Sequence, residues 1–250
     1  MAKILLIETA TEACGAAIAV DGAVVAQHEK PNSTEHAALL TPQIEACVRD
    51  SGIALRDLDA VAVSSGPGSY TSLRIGSSVA KGICYALGKP LIAVDTLQAL
   101  AWASRETLRQ TNPDVLNAPH LFAPMIDARR QEVCFAIFDA DLNLVQASKP
   151  EILNDKMFEI DSQTSGDSSV SKKPLEKIIR YVLSGNGSMK AENVLKIPGS
   201  VFLGIKQCSA GHLAALAEKY FQESDFQSLA YFEPTYMKPP NITAPKPAPV

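Results

Sequence analysis

The chain is short of several things that would have declared a function at once. It has five cysteines in 250 residues (Cys14, Cys47, Cys84, Cys134, Cys208), odd in number, scattered, and with no C-x-x-C among them. That excludes a disulfide framework or a thiolate zinc ribbon and reads as isolated thiols in a reducing compartment. The four histidines (His28, His36, His120, His212) form no H-x-x-x-H or H-E-x-x-H pattern, so no helical metal pair is offered. No apolar run approaches the ~18 residues of a membrane span. Glu8 and Glu12 interrupt the N-terminal apolar stretch too early for a signal peptide, so a cytoplasmic location is expected. Positive charge is not in excess either: 23 Lys and Arg against 27 Asp and Glu give −4, which excludes a generally basic nucleic-acid binder and leaves room only for a local patch. No G-x-S-x-G elbow is present for serine-hydrolase chemistry. What remains is an ordinary soluble composition, 46% hydrophobic and 20% charged, with enough chain for one or two domains.

The first hundred residues carry clear local signals. Residues 3–9 and 14–20 are β-rich runs, Asp21-Gly22 is the dipeptide a two-residue hairpin turn prefers, and residues 23–29 make a third strand. Ser33 or Thr34 is placed to cap a helix reaching about residue 49, with Ala37, Leu40, Ile44 and Val48 on one stripe and a kink or break expected at Pro42. Residues 59–65 read as a buried strand running into Gly66-Pro67-Gly68, a helix over 71–87 follows, and Gly88 with Pro90 stops it. Residues 91–95 are a fifth strand, followed by a third helix. An antiparallel meander followed by helix–strand alternation predicts an α/β mixed sheet whose last strands run parallel, as in ribonuclease-H-like, actin-type architectures.

The second half is less legible. Residues 121–127 and 132–139 read as strands, and residues 143–146 as an extension. The Ser-rich 161–173 reads as a surface connection, 175–183 as helical, and 194–195 with 201–202 as short strands. Ser209 is placed to cap a helix over about 210–221, and the proline-rich 238–250 reads as a tail. The expected organisation is a first lobe over 1–104, which the helix near 209–221 could join, a second lobe over 105–237, and the tail.

Two groups of residues could carry function. A strand ending in Ser64-Ser65, then Gly66, Gly68 and Ser69, then a helix, offers backbone N–H groups to a phosphate, although it lacks the lysine of a P-loop. The same turn would arise if glycine backbone angles were all it needed. Glu8 with Thr9 and Thr11, at the end of the first strand, could join it in binding a nucleotide, or Glu8 could merely cap a turn. The helix over 71–87 is small or apolar nearly all round, so it is covered on most sides, by its own sheet and by something else.

The run from Ser64 to Gly76 (SSGPGSYTSLRIG) is very similar to the signature of the TsaB (YeaZ) family. Residues 5–11 (LLIETAT), 36–42 (HAALLTP), 127–133 (DARRQEV) and 233–238 (EPTYMK) follow in that family's order. The resemblance implies a two-lobed actin-like ATPase (ASKHA) fold. It also implies a part in making threonylcarbamoyl-adenosine on tRNAs that read A-starting codons, as a non-catalytic subunit. The expected partners are a TsaD-like transferase and a TsaE-like ATPase, with tRNA reached only through the complex, and a homodimer forming when the chain is alone. The family pairs through its first two helices. On those, His36, Leu40, Ile44, Ser78, Val79 and Gly82 are the candidate interface residues.

Where the catalytic paralogue carries its metal-binding histidine pair, this chain has Thr96 and Leu100. Threonine is a poor ligand and leucine none, so no catalytic residue, metal or intrinsic cofactor is expected, with ATP or ADP at most at the partner interface. Glu8 stands where the family usually has Asp, and Ser72 where Gly is usual. The alternative is an independent actin-like ATPase or small-molecule kinase built on Glu8, Thr9 and the Gly66–Ser69 turn.

Overall fold

Two sheets of the same design make up the protein in the computed structural model, which describes residues 1–154, 157–158, 180–195 and 198–238. The first begins with β1 (Lys3–Glu8), β2 (Cys14–Val20) and β3 (Ala23–Lys30), an antiparallel meander. Asp21 and Gly22 join β2 to β3 with left-handed φ values of 49° and 75°, the backbone that dipeptide adopts most cheaply. Next come α1 (His36–Ser51), β4 (Ala60–Gly66), α2 (Tyr70–Leu87), β5 (Leu91–Asp95) and α3 (Thr96–Thr111). β4 pairs parallel to β1 and β5 parallel to β4, giving the order β3-β2-β1-β4-β5.

The second sheet repeats that plan without repeating the sequence. β6 (His120–Asp127), β7 (Glu132–Phe138) and β8 (Leu144–Ile152) form the meander. β9 (Arg180–Ser184) lies parallel beside β6, α4 (Ser188–Val194) follows, and β10 (Val201–Phe202) lies parallel beside β9. A 3₁₀ turn over Ala210–Leu213 then leads into α5 (Ala214–Gln222).

Strand alternation decides which helices lie where. Ile4 and Leu6 of β1, with Ala62 of β4 and Ile92 of β5, point into a core shared with α3, α5 and the second sheet's Phe122, Phe138 and Val182. Leu5 and Ile7, with Val61, Val63 and Leu91, point the other way, under Leu40, Ile44 and Cys47 of α1 and Ala80 and Cys84 of α2. Both faces are covered, which is why these strands are apolar throughout. No helix among the described residues is long and apolar enough to cross a membrane. All five cysteines are buried and unpaired.

Several expectations need correction. The start of α1 is capped at Glu35 without a side-chain bond, and Ser33 Oγ instead accepts from the Glu35 N–H at 3.1 Å. Pro42 does not break α1, which is continuous across it. Where a helix was expected over 175–183, Arg180–Ser184 is strand β9 and 175–179 lie outside the described residues. A segment as short as Arg180–Ser184, with only Tyr181, Val182 and Leu183 apolar, shows no periodicity of its own, and pairing with β6 decides it. Val194 ends α4 and is not part of a strand. The Ser-rich 161–173 and the tail beyond Lys238 lie outside the described residues.

From Ser209 to Thr235 the chain returns to the first sheet, before Lys238 reaches the Ala128 carbonyl beside the second. Ser209 closes a capping box with His212, Gln227 donates to the Leu91 carbonyl at 2.8 Å, Phe232 joins the core under α1 and α2, and Thr235 donates to the Ser65 carbonyl at 2.7 Å.

Candidate functional site

The parallel strands β1, β4 and β5 all point their C-terminal ends at one edge of the first sheet, the edge where open α/β sheets bind ligands. Glu8, Thr9, Thr11, Gly66, Gly68 and Ser69 do meet there. Thr9 N–H donates to Ser64 Oγ at 3.3 Å, Ser69 N–H donates to the Ala10 carbonyl at 2.7 Å, and Gly68 packs so tightly that a β-carbon would overlap the Ala10 oxygen. At Gly66, with φ of 104°, a β-carbon would stand 2.6 Å from the Thr235 carbonyl oxygen. The Ser69 donor of the turn is therefore spent on the residue that follows β1, and the C-terminal segment lies over Gly66.

Glu8 is 1% exposed. One carboxylate oxygen accepts from the Ala10 N–H at 2.5 Å, while the other has no hydrogen-bond partner among the described residues. Burial pushes its pKa up to about 7, a rise that the Ala10 hydrogen bond offsets only in part. The hydroxyls of Thr9 and Thr11 are likewise buried without partners. Asp95, at the end of β5, caps α3 by accepting from the Gln98 N–H at 2.8 Å, and burial raises its pKa to about 6.

Thr96 and Leu100 sit in the first two turns of α3, both fully buried, with Leu100 in the core between the sheets. Among the described residues no group of three or more His, Cys, Asp and Glu could hold a metal ion.

The other candidate site is the outward surface of α1 and α2. Here the structure separates residues that the sequence grouped. His36, Leu40 and Ile44 are 4%, 1% and 3% exposed, and with Cys47 they form the stripe that packs on the sheet. His36 Nε2 donates to the Thr11 carbonyl at 3.0 Å, tying the start of α1 to the β1–β2 hairpin. These three are core, not interface, because the sheet claims the larger side chains and leaves Ala37, Ala38 and Thr41 facing out.

On α2 the reverse holds. Ser78 and Gly82 are exposed, Val79 is half-buried, and among the described residues no atom beyond its own helix lies within 4 Å of where a Gly82 β-carbon would be. Thr71, Ile75, Ser78, Gly82 and Tyr85 follow one another at spacings of four and three, the seam of a helix that meets another helix. Tyr85, 84% exposed, was missed in the sequence, although it continues the Ser78–Gly82 spacing by three. A groove of about 520 Å³ opens where this seam meets α1, lined by Ala37, Tyr70, Thr71, Arg74, Ile75, Ser78 and Val79.

Comparison with known proteins gives the family and the fold. A family model described as TsaD, tRNA N6-adenosine threonylcarbamoyltransferase, matches residues 28–245. The tRNA threonylcarbamoyladenosine biosynthesis protein TsaB of Escherichia coli is 30% identical over 248 residues, covering 94% of each chain. Its namesake in Haemophilus influenzae is 32% identical over 133 residues, 53% of this chain and 52% of that one. A solved structure of YeaZ from Pseudomonas aeruginosa has the same fold, with a TM-score of 0.74 at 23% identity, covering 94% of this chain and 100% of that one.

Proposed function

The chain belongs to the TsaB (YeaZ) family of tRNA threonylcarbamoyladenosine biosynthesis proteins, and from that premise we propose that it acts there as a non-catalytic scaffold subunit. It pairs with a TsaD-type transferase through the outward face of α1 and α2, and a TsaE-type ATPase joins the pair. The observation that carries this reading is the α2 seam of Thr71, Ile75, Ser78, Gly82 and Tyr85. It is small, low in charge and open to solvent on a helix whose other side is already packed on its sheet. Small residues let a facing helix approach closely, and Tyr85 supplies the kind of flat, rigid side chain that anchors interfaces.

The reading assigns no catalytic role to the chain alone. Thr96 and Leu100 are inward-facing where the catalytic relative holds its metal. The strand-end turn that would cradle a phosphate is occupied by Ala10 and Thr235. A nucleotide, ATP or ADP, is accordingly assigned to the joint with the partner and not to Glu8 and its neighbours. An independent kinase would need that turn open. Without a partner the same seam meets its copy, giving a homodimer that the transferase displaces.

The test is Gly82→Arg. The site is exposed, so the isolated chain keeps its circular dichroism, while burial of an unpaired guanidinium in the joint weakens binding to the transferase by about 2–5 kcal/mol. Unchanged affinity in titration calorimetry would place the docking surface elsewhere.

A further inference from the structure

Away from the α2 seam, the turn between β6 and β7 has a feature the scaffold role does not use. Arg129 and Arg130 are consecutive, both exposed, and both held in left-handed backbone at φ of 71° and 52°. Two successive L-residues with side chains that large adopt this conformation only where the surroundings impose it. Here they do. Arg129 N–H donates to the Asp127 carboxylate at 2.6 Å, Lys190 Nζ donates to the Arg130 carbonyl at 2.8 Å, and Lys238 Nζ reaches the Ala128 carbonyl at 3.4 Å. Lys190 also pairs with Asp127, and Lys238 with Glu132. Both acids of the turn are thus matched by lysines. Among the described residues neither guanidinium has a partner, so the turn carries two uncompensated positive charges on a chain whose net charge is −4.

The turn continues a strip. Lys238 follows two residues after Tyr236, whose ring lies 4.5 Å from that of Tyr70. The Arg74 guanidinium lies 5.5 Å above the Tyr70 ring and donates to its hydroxyl at 3.0 Å. From α2 to the second sheet the order is Arg74, Tyr70, Tyr236, Lys238, Arg129, Arg130: a pair of contacting rings flanked by one cation on α2 and by three toward the second sheet. Two arginines without an acidic partner suit a polyanion, and rings beside them suit a polyanion that carries bases. A nucleic-acid strand uses both, phosphates on the cations and bases or riboses on the rings.

We infer that this strip, with the Arg129–Arg130 turn as its charged end, is where this subunit touches the phosphodiester backbone of the tRNA in the modifying complex. The identity of the RNA rests on the functional reading above. The strip itself rests on the geometry.

The experiment uses the complex of the full chain with its transferase and, as probe, an unmodified transcript of a tRNA reading an A-starting codon, with affinity measured by anisotropy across a salt series. The decisive variant is Arg129→Asn with Arg130→Gly. Asn and Gly adopt left-handed φ at least cost, so both charges go while the turn is kept or stabilised. Affinity falls about tenfold, and the slope of log affinity against log salt becomes shallower by about 1.4–1.8, the signature of two lost phosphate contacts. Arg129→Lys with Arg130→Lys keeps the slope. Tyr236→Ala lowers affinity several-fold without changing the slope.

Unchanged tRNA affinity and slope in an intact complex overturn the inference. So does a variant that instead loses the transferase, which would make the turn a protein contact. If the unaltered chain fails to pair with the transferase, the functional reading has failed. The strip is then judged on the full chain alone: tRNA binding lowered by the variant upholds it, and no tRNA binding overturns it.

Discussion

Gly76 and Gly82 lie six residues apart on α2 and serve opposite purposes. A β-carbon at Gly76 would overlap Thr9 Oγ1 at the end of β1, whereas a β-carbon at Gly82 would meet nothing within 4 Å. The first glycine is small because the sheet is close. The second is small where no described residue demands it. The same division runs through α1, where His36, Leu40 and Ile44 are buried against β2 while Ala37 and Thr41 face solvent. A small residue on a helix therefore points to a docking surface only when its own fold leaves it uncovered, and the inward positions should respond to mutation through stability, the outward ones through association.

The largest effect expected from that division is at Leu40. Leu40→Ala opens a cavity under α1 and should lower unfolding stability by about 2–5 kcal/mol in denaturant titration. Affinity for the transferase, measured where the variant is still folded, should stay unchanged. A loss of affinity with stability intact would return Leu40 to the interface.

The closed strand end should give the next largest effect, through pH. Glu8 has its pKa raised by burial to about 7, against an unfolded value near 4.5. The folded state therefore holds the proton more tightly, and the stability this contributes is present below about pH 4.5 and lost as pH rises through about 7. Asp95, raised to about 6, acts with the same sign over a lower window. Unfolding at pH 5 and pH 8 should differ by about 1–3 kcal/mol, and Glu8→Gln should flatten most of that slope. A flat profile in the unaltered chain would mean that Glu8 is solvated, and hence that the turn is open to a ligand after all.

These contrasts also mark how far the sequence could be read. Strands β1 to β5 were legible because both periodicity and punctuation were strong: Asp21-Gly22 between β2 and β3, Gly88 after α2, short β-rich runs elsewhere. The ends of α2 were legible for similar reasons. The inward side of α1 was not. Leu40 and Ile44 suit a sheet and a partner helix equally, and only the position of β2 decides between them. Arg180–Ser184 and Ser188–Val194 were missed because each is too short to show a period. The contact of Lys238 with the β6–β7 turn joins residues more than a hundred apart in sequence, and nothing local announces it. Nor did the turn's own sequence announce two left-handed arginines, since arginine has no preference for that backbone.

Back on α2, Gly76→Ala pushes a methyl group into Thr9, which is itself fully buried. Overpacking of this kind costs about 1–3 kcal/mol, and the gain in helix propensity over glycine offsets part of it, so a net loss of about 1–2 kcal/mol is expected. Thr9→Ala in the same chain removes the overlapping atoms and should restore most of the loss. A double-mutant cycle would show the two positions coupled, whereas additive effects would mean the contact is not the reason for the glycine.

Gly82→Ala should show the smallest effect and the opposite sign. The position is exposed, lies within a regular helix, and is free of any neighbour a methyl could touch. Alanine lowers the entropy of the unfolded chain and favours helix, so the isolated protein should gain about 0.5–1 kcal/mol in denaturant or thermal unfolding. If stability were all that chose this residue, alanine would be the better choice, and the glycine would be unexplained. A facing helix supplies the explanation: the methyl that costs nothing in the free subunit keeps the partner's backbone from closing on the seam. The same substitution should therefore weaken transferase binding modestly while strengthening the fold. A variant that gains stability and binds with full affinity would leave Gly82 outside the contact and move the seam toward Tyr85.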